Sequence, residues 1–270
     1  MPQGKSYDPY RERIVAIMKR TETMDYEPVA VTSFDGLTLR GRYYEYAPNA
    51  PIELMFPGYR GDARLDLCGA AERCFAVGHS ALIVDQRCCG ESDGNVITFG
   101  VLESRDCHTW VDFMIQKFGQ EVKIILCGMS MGATTVLIAS GEELPPNVVG
   151  VLADCGFTSA REIIRKVIGD MKMPSGLLYP FIKLGARIYG GFSLESVSPL
   201  SSLGKCKIPV IFFHGENDRF VPCRMSRKNY EICTGPKKLV TIPDAGHGLC
   251  YLVDPERYIK ELKEFWEISQ

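Results

Sequence analysis

The sequence predicts an α/β protein: a mostly parallel sheet of about eight strands, helices on both faces, and a small helical insertion. Three observations carry this expectation. Short apolar runs alternate with segments of helical period along most of the 270 residues. No internal repeat, low-complexity stretch or linker interrupts them. One apolar, glycine-containing stretch, residues 160 to 205, breaks the rhythm. Strands joined through helices pair in parallel, and the helices then cover both faces.

Each element follows from local pattern. The amino-terminal segment contains a five-residue apolar run, Ile14 to Met18, too short for a signal-peptide core and expected to form an amphipathic helix on the domain. Pro28–Ser33 and Leu37–Tyr46 are strand-like, and Asp35-Gly36 between them signals a hairpin that supplies an antiparallel edge. Strand and helix then alternate: Ile52–Phe56 and Ala63–Val77, Ala81–Asp85 and Leu102–Phe118, Val122–Cys127 and Met131–Ser140. The strand Val148–Asp154 precedes the insertion, in which Arg161–Met171 and Leu177–Tyr189 are helical and Pro174-Ser175-Gly176 separates them. The strand Val210–His214, a helix around Arg224–Cys233, the strand Leu239–Ile242 and a helix from Pro255 complete the chain. We read residues 1–270 as a single domain. The insertion, at about 45 residues, exceeds an ordinary crossover and is expected to cap the strand ends.

Composition narrows the function classes. A net charge of −2 leaves no basic footprint for nucleic acid. No stretch approaches the length of a bilayer span and no large basic face marks a membrane partner, so neither is expected. Eleven cysteines, scattered through apolar runs without a CxxC pair, read as free thiols in a reducing cytoplasm. Cys88-Cys89 stands out as a pair with no role legible from the sequence.

In parallel sheets ligands bind beyond the carboxyl ends of the strands, so site residues should follow strands. Gly128-Met129-Ser130-Met131-Gly132 does so and opens a helix. In that context G-x-S-x-G places an exposed serine on a strained turn, with glycines where strand and helix crowd. Ser130 is therefore the candidate nucleophile. A serine hydroxyl needs a base, and the chain offers His79, His108, His214 and His247. His79 and His108 fall in or beside helices, away from the strand mouths. His214 abuts Gly215 and is expected to bond within its own loop. His247 lies between Gly246 and Gly248 after the last strand and is the candidate base. The orienting acid should follow another strand. Asp218, in His214-Gly215-Glu216-Asn217-Asp218, is preferred, with Glu216 the fallback; Asp244 is too near His247 in sequence. Asp154 also ends a strand, without a legible partner, and is available to anchor the insertion. Donors for an oxyanion are expected from the backbone N–H of Met131 and of Tyr59, in Phe56-Pro57-Gly58-Tyr59-Arg60-Gly61.

These segments, with Asp85-Gln86-Arg87-Cys88-Cys89-Gly90-Glu91-Ser92-Asp93-Gly94 and Val221-Pro222, resemble the α/β-hydrolase superfamily. The closest likeness is to bacterial serine hydrolases related to esterases and to prolyl-aminopeptidase-like or prolyl-oligopeptidase-like enzymes. It spans residues 28 to 268 in the expected order. The resemblance implies the α/β-hydrolase fold, the Ser130–His247–Asp218 triad and the Tyr59 and Met131 oxyanion donors. Pro57 stands where relatives commonly carry His before glycine, and Cys88-Cys89 where they carry Gly and His. The expected activity is cleavage of carboxylic esters of small or apolar acyl or aromatic groups through an acyl-enzyme, with no metal or organic cofactor. Peptide or amide hydrolysis is the enzymatic alternative, and a non-catalytic binding protein on the same fold is the third. Leu177, Leu178, Tyr179, Phe181, Ile182 and Leu184 either line an apolar substrate pocket or belong to the core.

Overall fold

The computed structural model describes residues 7–63 and 69–269. Its strands are β1 (Glu27–Thr32), β2 (Thr38–Tyr44), β3 (Ile52–Phe56), β4 (Ser80–Val84), β5 (Ile124–Met129), β6 (Val148–Asp154), β7 (Val210–Gly215) and β8 (Lys237–Ile242). The helices are α1 (Arg11–Thr23), α2 (Ala70–Ala76), α3 (Glu103–Phe118), α4 (Met131–Ala139), α5 (Ala160–Asp170), α6 (Ser175–Ile188), α7 (Pro199–Ser202), α8 (Arg224–Ile232), α9 (Cys250–Val253) and α10 (Pro255–Ser269). The first half of the helix expected over Ala63–Val77 falls at 64–68, outside the described residues.

The strands form one sheet in the order β1-β2-β4-β3-β5-β6-β7-β8. β2 pairs antiparallel with both β1 and β4, and every other pairing is parallel. The expected α/β-hydrolase architecture, with a hairpin edge on a parallel sheet, is therefore present. Asp35-Gly36 makes the hairpin, Gly36 supplying a φ of 89°.

Alternate strand residues face opposite layers, which explains the unbroken apolar runs. On one side Leu54, Phe56, Leu82, Leu126 and Phe212 pack on α3 and α4 through Trp110, Met114 and Val136. On the other, Met55, Ile83, Cys127 and Phe213 meet α1, α2 and α10. Burying one such Leu or Phe contributes about 1.5–3 kcal/mol. Glu53 is a polar exception on the second face. Burial acts to raise its pKa, but Arg73 and His79 outweigh that and hold it at about 2. His79 thus serves a buried ion-pair network, and His108 faces Glu142 at 3.2 Å.

Between β6 and β7 the helices α5 and α6 build a third apolar cluster. It joins Ile163, Ile164, Tyr179 and Phe192 to Met131 and Phe157. Of the six apolar residues noted at 177–184, Tyr179 is buried and Leu178 packs beside it. Leu177, Phe181, Ile182 and Leu184 are exposed, so neither a core nor a closed pocket accounts for them.

Candidate active site

β5 delivers Ser130 to the edge of the sheet. The residue adopts φ 55° and ψ −112°, a conformation a serine tolerates only under constraint, and α4 begins at Met131. Two glycines make the turn possible. A Cβ on Gly132 would lie 1.9 Å from the Phe56 carbonyl oxygen, and one on Gly128 would lie 2.2 Å from Gly132. The Ser130 N–H donates to the Asp154 carbonyl at 2.8 Å, pinning the elbow to β6.

His247 reaches this serine across 117 residues: Nε2 lies 3.0 Å from Ser130 Oγ. On its other side, Nδ1 lies 2.7 Å from Asp218 Oδ2. The turn after β7 holds the carboxylate, since the N–H groups of Phe220 and Val221 donate to Oδ1 at 2.9 and 2.8 Å. Burial alone would raise the Asp218 pKa. Hydrogen bonds from His214 and His247, with their charge, prevail and bring it to about 2. Ser130, His247 and Asp218, drawn from three distant segments, therefore form one hydrogen-bonded chain.

The competing residues are placed elsewhere. Glu216 points to solvent and accepts from Thr241 Oγ1 at 2.7 Å. Asp244 faces Asn217 at 3.4 Å. His214 is fully buried; its ring joins Ser226 Oγ at 2.7 Å and the Val221 carbonyl at 2.8 Å, and it stands 3.3 Å behind Asp218. Asp154 does not anchor the insertion. Its carboxylate turns under the elbow to the Tyr258 hydroxyl of α10 at 3.2 Å, and burial raises its pKa to about 6.

Met131 opens α4, so its N–H is among those with no acceptor inside the helix. Tyr59 sits in the loop after β3, which a side chain given no role in the sequence reading secures. Gln86 Nε2 donates to the Pro57 carbonyl at 2.6 Å, while Thr135 Oγ1 donates to Gln86 Oε1 at 3.1 Å. The loop is thereby tied to the first turns of α4. Two aromatic contacts involve these loops: the Tyr59 ring stacks on Phe99 at 5.7 Å, and Phe220 meets the His247 ring edge-on at 5.0 Å. Tyr7 also went unnoticed in the sequence; its hydroxyl donates to the His247 carbonyl at 2.9 Å and restrains the loop.

Cys155, a buried residue at φ 47°, completes the surroundings. Its thiol and donor atoms of Asp218 and His247 lie within 4.8 Å of one another, a grouping that could accept a metal among the described residues. Burial pushes this thiol well above its ordinary pKa, and Asp218 and His247 direct their facing atoms at each other. The chemistry of the trio suits a hydrogen-bonded network better than a cation.

The order of strands, the elbow and the three-residue chain define a recognisable arrangement, and residues 54–261 match the family model described as "Alpha/beta hydrolase family". The chain belongs to the alpha/beta hydrolase family. Among curated relatives, the uncharacterized protein YqkD of Bacillus subtilis (strain 168) is 30% identical over 190 residues, covering 70% of this chain and 62% of that protein. Uncharacterized protein YfhR of Escherichia coli (strain K12) is 27% identical, covering 62% of this chain and 53% of its own length. The match thus spans a little over half of such relatives. Among solved structures, the Pyrococcus furiosus esterase Pf2001 superposes with a TM-score of 0.72 at 21% identity, covering 92% of each chain. At that identity the likeness is one of fold. Within this alpha/beta hydrolase the serine elbow, the histidine loop and the acid turn sit at the carboxyl ends of β5, β8 and β7, where parallel sheets place their sites.

Proposed function

We propose that this alpha/beta hydrolase is a serine hydrolase that cleaves carboxylic esters of small or apolar acyl or aromatic groups through an acyl-enzyme. The observation that carries the reading is the position of His247, 3.0 Å from the Ser130 hydroxyl and 2.7 Å from Asp218. In the proposed mechanism Ser130 Oγ attacks the ester carbonyl carbon as its proton passes to His247 Nε2. Asp218, ionised down to about pH 2, fixes the Nδ1–H tautomer and stabilises the imidazolium. The oxyanion accepts hydrogen bonds from the Met131 and Tyr59 N–H groups. Collapse expels the alcohol, protonated from Nε2, and a water activated by the same nitrogen then releases the acid and restores Ser130. Tyr59, Phe99 and Phe220 offer aromatic surface for the acyl or aryl group. The ten described cysteines are all free thiols, which supports a reducing, cytoplasmic setting.

Turnover of p-nitrophenyl esters of short and long acyl chains by wild type and Ser130→Ala tests the reading, together with labelling by a fluorophosphonate. Wild type should turn over and label, and the variant should do neither. Equal turnover by both proteins, or an unlabelled wild type, defeats the proposal. An aminoacyl anilide assayed beside the esters separates esterase from peptidase.

A further inference from the structure

We infer that α6 is an interfacial element whose outer face docks on an anionic lipid surface. The evidence is the pattern of the helix itself. Its inner face packs through Tyr179, Leu178 and Ala186 on the cluster that contains Met131 and Phe157. Leu177, Phe181, Leu184 and Ile188 recur at spacings of four, three and four, which aligns them on one side of a helix. That side is open: the four are 63%, 66%, 53% and 64% exposed. Tyr189, at the end of the stripe, is 89% exposed. Single exposed apolar residues are ordinary on protein surfaces, whereas a ridge of four, with Tyr189 beside its end, marks a surface made to be covered.

Charge identifies the occupant. From position 171 to 194 the chain carries Lys172, Lys183 and Arg187 and no carboxylate. Glu195 pairs with Lys183, while Lys172 and Arg187 have no ion-pair partner among the described residues. An apolar ridge flanked by cations suits the boundary between acidic headgroups and acyl chains, into which such a face sinks by about 5–10 Å. A second copy of the chain suits it poorly. Two-fold pairing of the ridge would bring these cations against their own copies, and the acids that bound the segment, Asp170 and Glu195, are already engaged by Lys166 and Lys183. The basic flank is local, so a chain of net charge −2 can still present it. Docking here runs against the sequence-based expectation that a membrane is not a partner. It also places lipid beside the cluster that supports the serine elbow.

The test is sedimentation of the full chain with vesicles of phosphatidylcholine, alone or with about one third phosphatidylserine, at low and moderate salt. Wild type should partition onto the acidic vesicles and come off as salt rises. Phe181→Ser/Leu184→Ser should lower partitioning by about tenfold or more. Lys172→Gln/Arg187→Gln should weaken it on acidic vesicles and leave neutral ones unaffected. All four positions are exposed and outside the triad, so the circular dichroism of both variants should match wild type. Wild type that stays in the supernatant, or variants that sediment equally, would overturn the inference. So would a dimer, seen by light scattering, that Phe181→Ser/Leu184→Ser converts to monomer. Vesicle binding is read without turnover, so its failure leaves the ester-hydrolase reading intact.

Discussion

Asp154→Asn should stabilise this protein at alkaline pH and lose most of that advantage in mild acid. The carboxylate lies buried under the serine elbow; Tyr258 donates to Oδ2, and Oδ1 has no hydrogen-bond partner among the described residues. Burial raises its pKa from 3.8 to about 6, only partly offset by the charge of His214 and the Tyr258 hydrogen bond. The unfolded chain releases this proton near pH 3.9, two units earlier, and each unit is worth about 1.4 kcal/mol. Because the folded pKa is the higher one, the folded state holds a proton between about pH 4 and 6 that the unfolded state has lost, and stability falls as pH rises through that window. Ionised Asp154 therefore costs roughly 3 kcal/mol at neutral pH and above. Asn retains the shape and one acceptor and does not titrate. Urea denaturation of wild type and variant at about pH 4.5 and pH 8 isolates the effect, since constant packing differences cancel. The gap between the two proteins should move by about 2 kcal/mol in favour of the variant at the higher pH. A gap that is the same at both values would refute the argument, because a carboxylate already ionised in the folded state at mild acidity costs nothing further.

Asp218→Asn should cut kcat for p-nitrophenyl esters by about 10,000-fold with little change in binding, the result of a wrong imidazole tautomer. Its folded pKa, about 2, lies below the unfolded value, so its contribution of roughly 2.5 kcal/mol is present above about pH 5 and disappears as pH falls toward 2. The variant's acid limb in denaturation should be correspondingly flatter. Gln86→Leu removes two hydrogen bonds that tie the Pro57 loop to α4 and leaves a buried carbonyl unpaired; kcat should fall about 10- to 100-fold while KM changes little, measured on the same esters. Gly132→Ala drives a methyl into the Phe56 carbonyl, at 1.9 Å, and should destabilise by about 3 kcal/mol or more in thermal melts.

The strands were legible because most are buried on both faces and announce themselves as apolar runs. β3, with all five residues buried, was bounded correctly by its pattern alone. β8 was read two residues short, since its first positions are Lys237 and Lys238. The Lys237 ammonium bonds the Cys233 carbonyl at the end of α8 at 2.7 Å, so a charge there serves a neighbouring helix without leaving the sheet. The short helices α7 and α9, four residues each, fall below any recognisable period. In the site, Ser130, His247 and Asp218 carried local signals: flanking glycines and strand ends. The roles of Gln86, though it lies in a motif that carries the resemblance, and of Tyr7 had no such signal, because each acts through a backbone carbonyl far away in sequence. The open side of α6 was invisible for a different reason. Helical spacing shows that a face is apolar and is silent on whether anything covers it.

Two buried carboxylates lie within electrostatic range of His247, and their contrast accounts for the proposal of Asp218 as the acid. Asp218 has two backbone donors on one oxygen and two imidazoles near the other, which together outweigh burial and keep it ionised down to about pH 2. A base that must become an imidazolium needs such a permanent anion. Among the described residues Asp154 has only the Tyr258 phenol and the weak Cys250 thiol as side-chain donors and no backbone N–H, so its proton stays until about pH 6 and its charge fluctuates across the neutral range. Moving the acid role to β6 would demand new backbone donors there, and the N–H that follows the strand, that of Cys155, already donates to the Phe213 carbonyl. The turn after β7 leaves the N–H groups of Phe220 and Val221 to the carboxylate. The chain Asp218–His247–Ser130 is therefore selected by where backbone N–H groups are free to point, and a carboxylate's nearness to the histidine is insufficient without them.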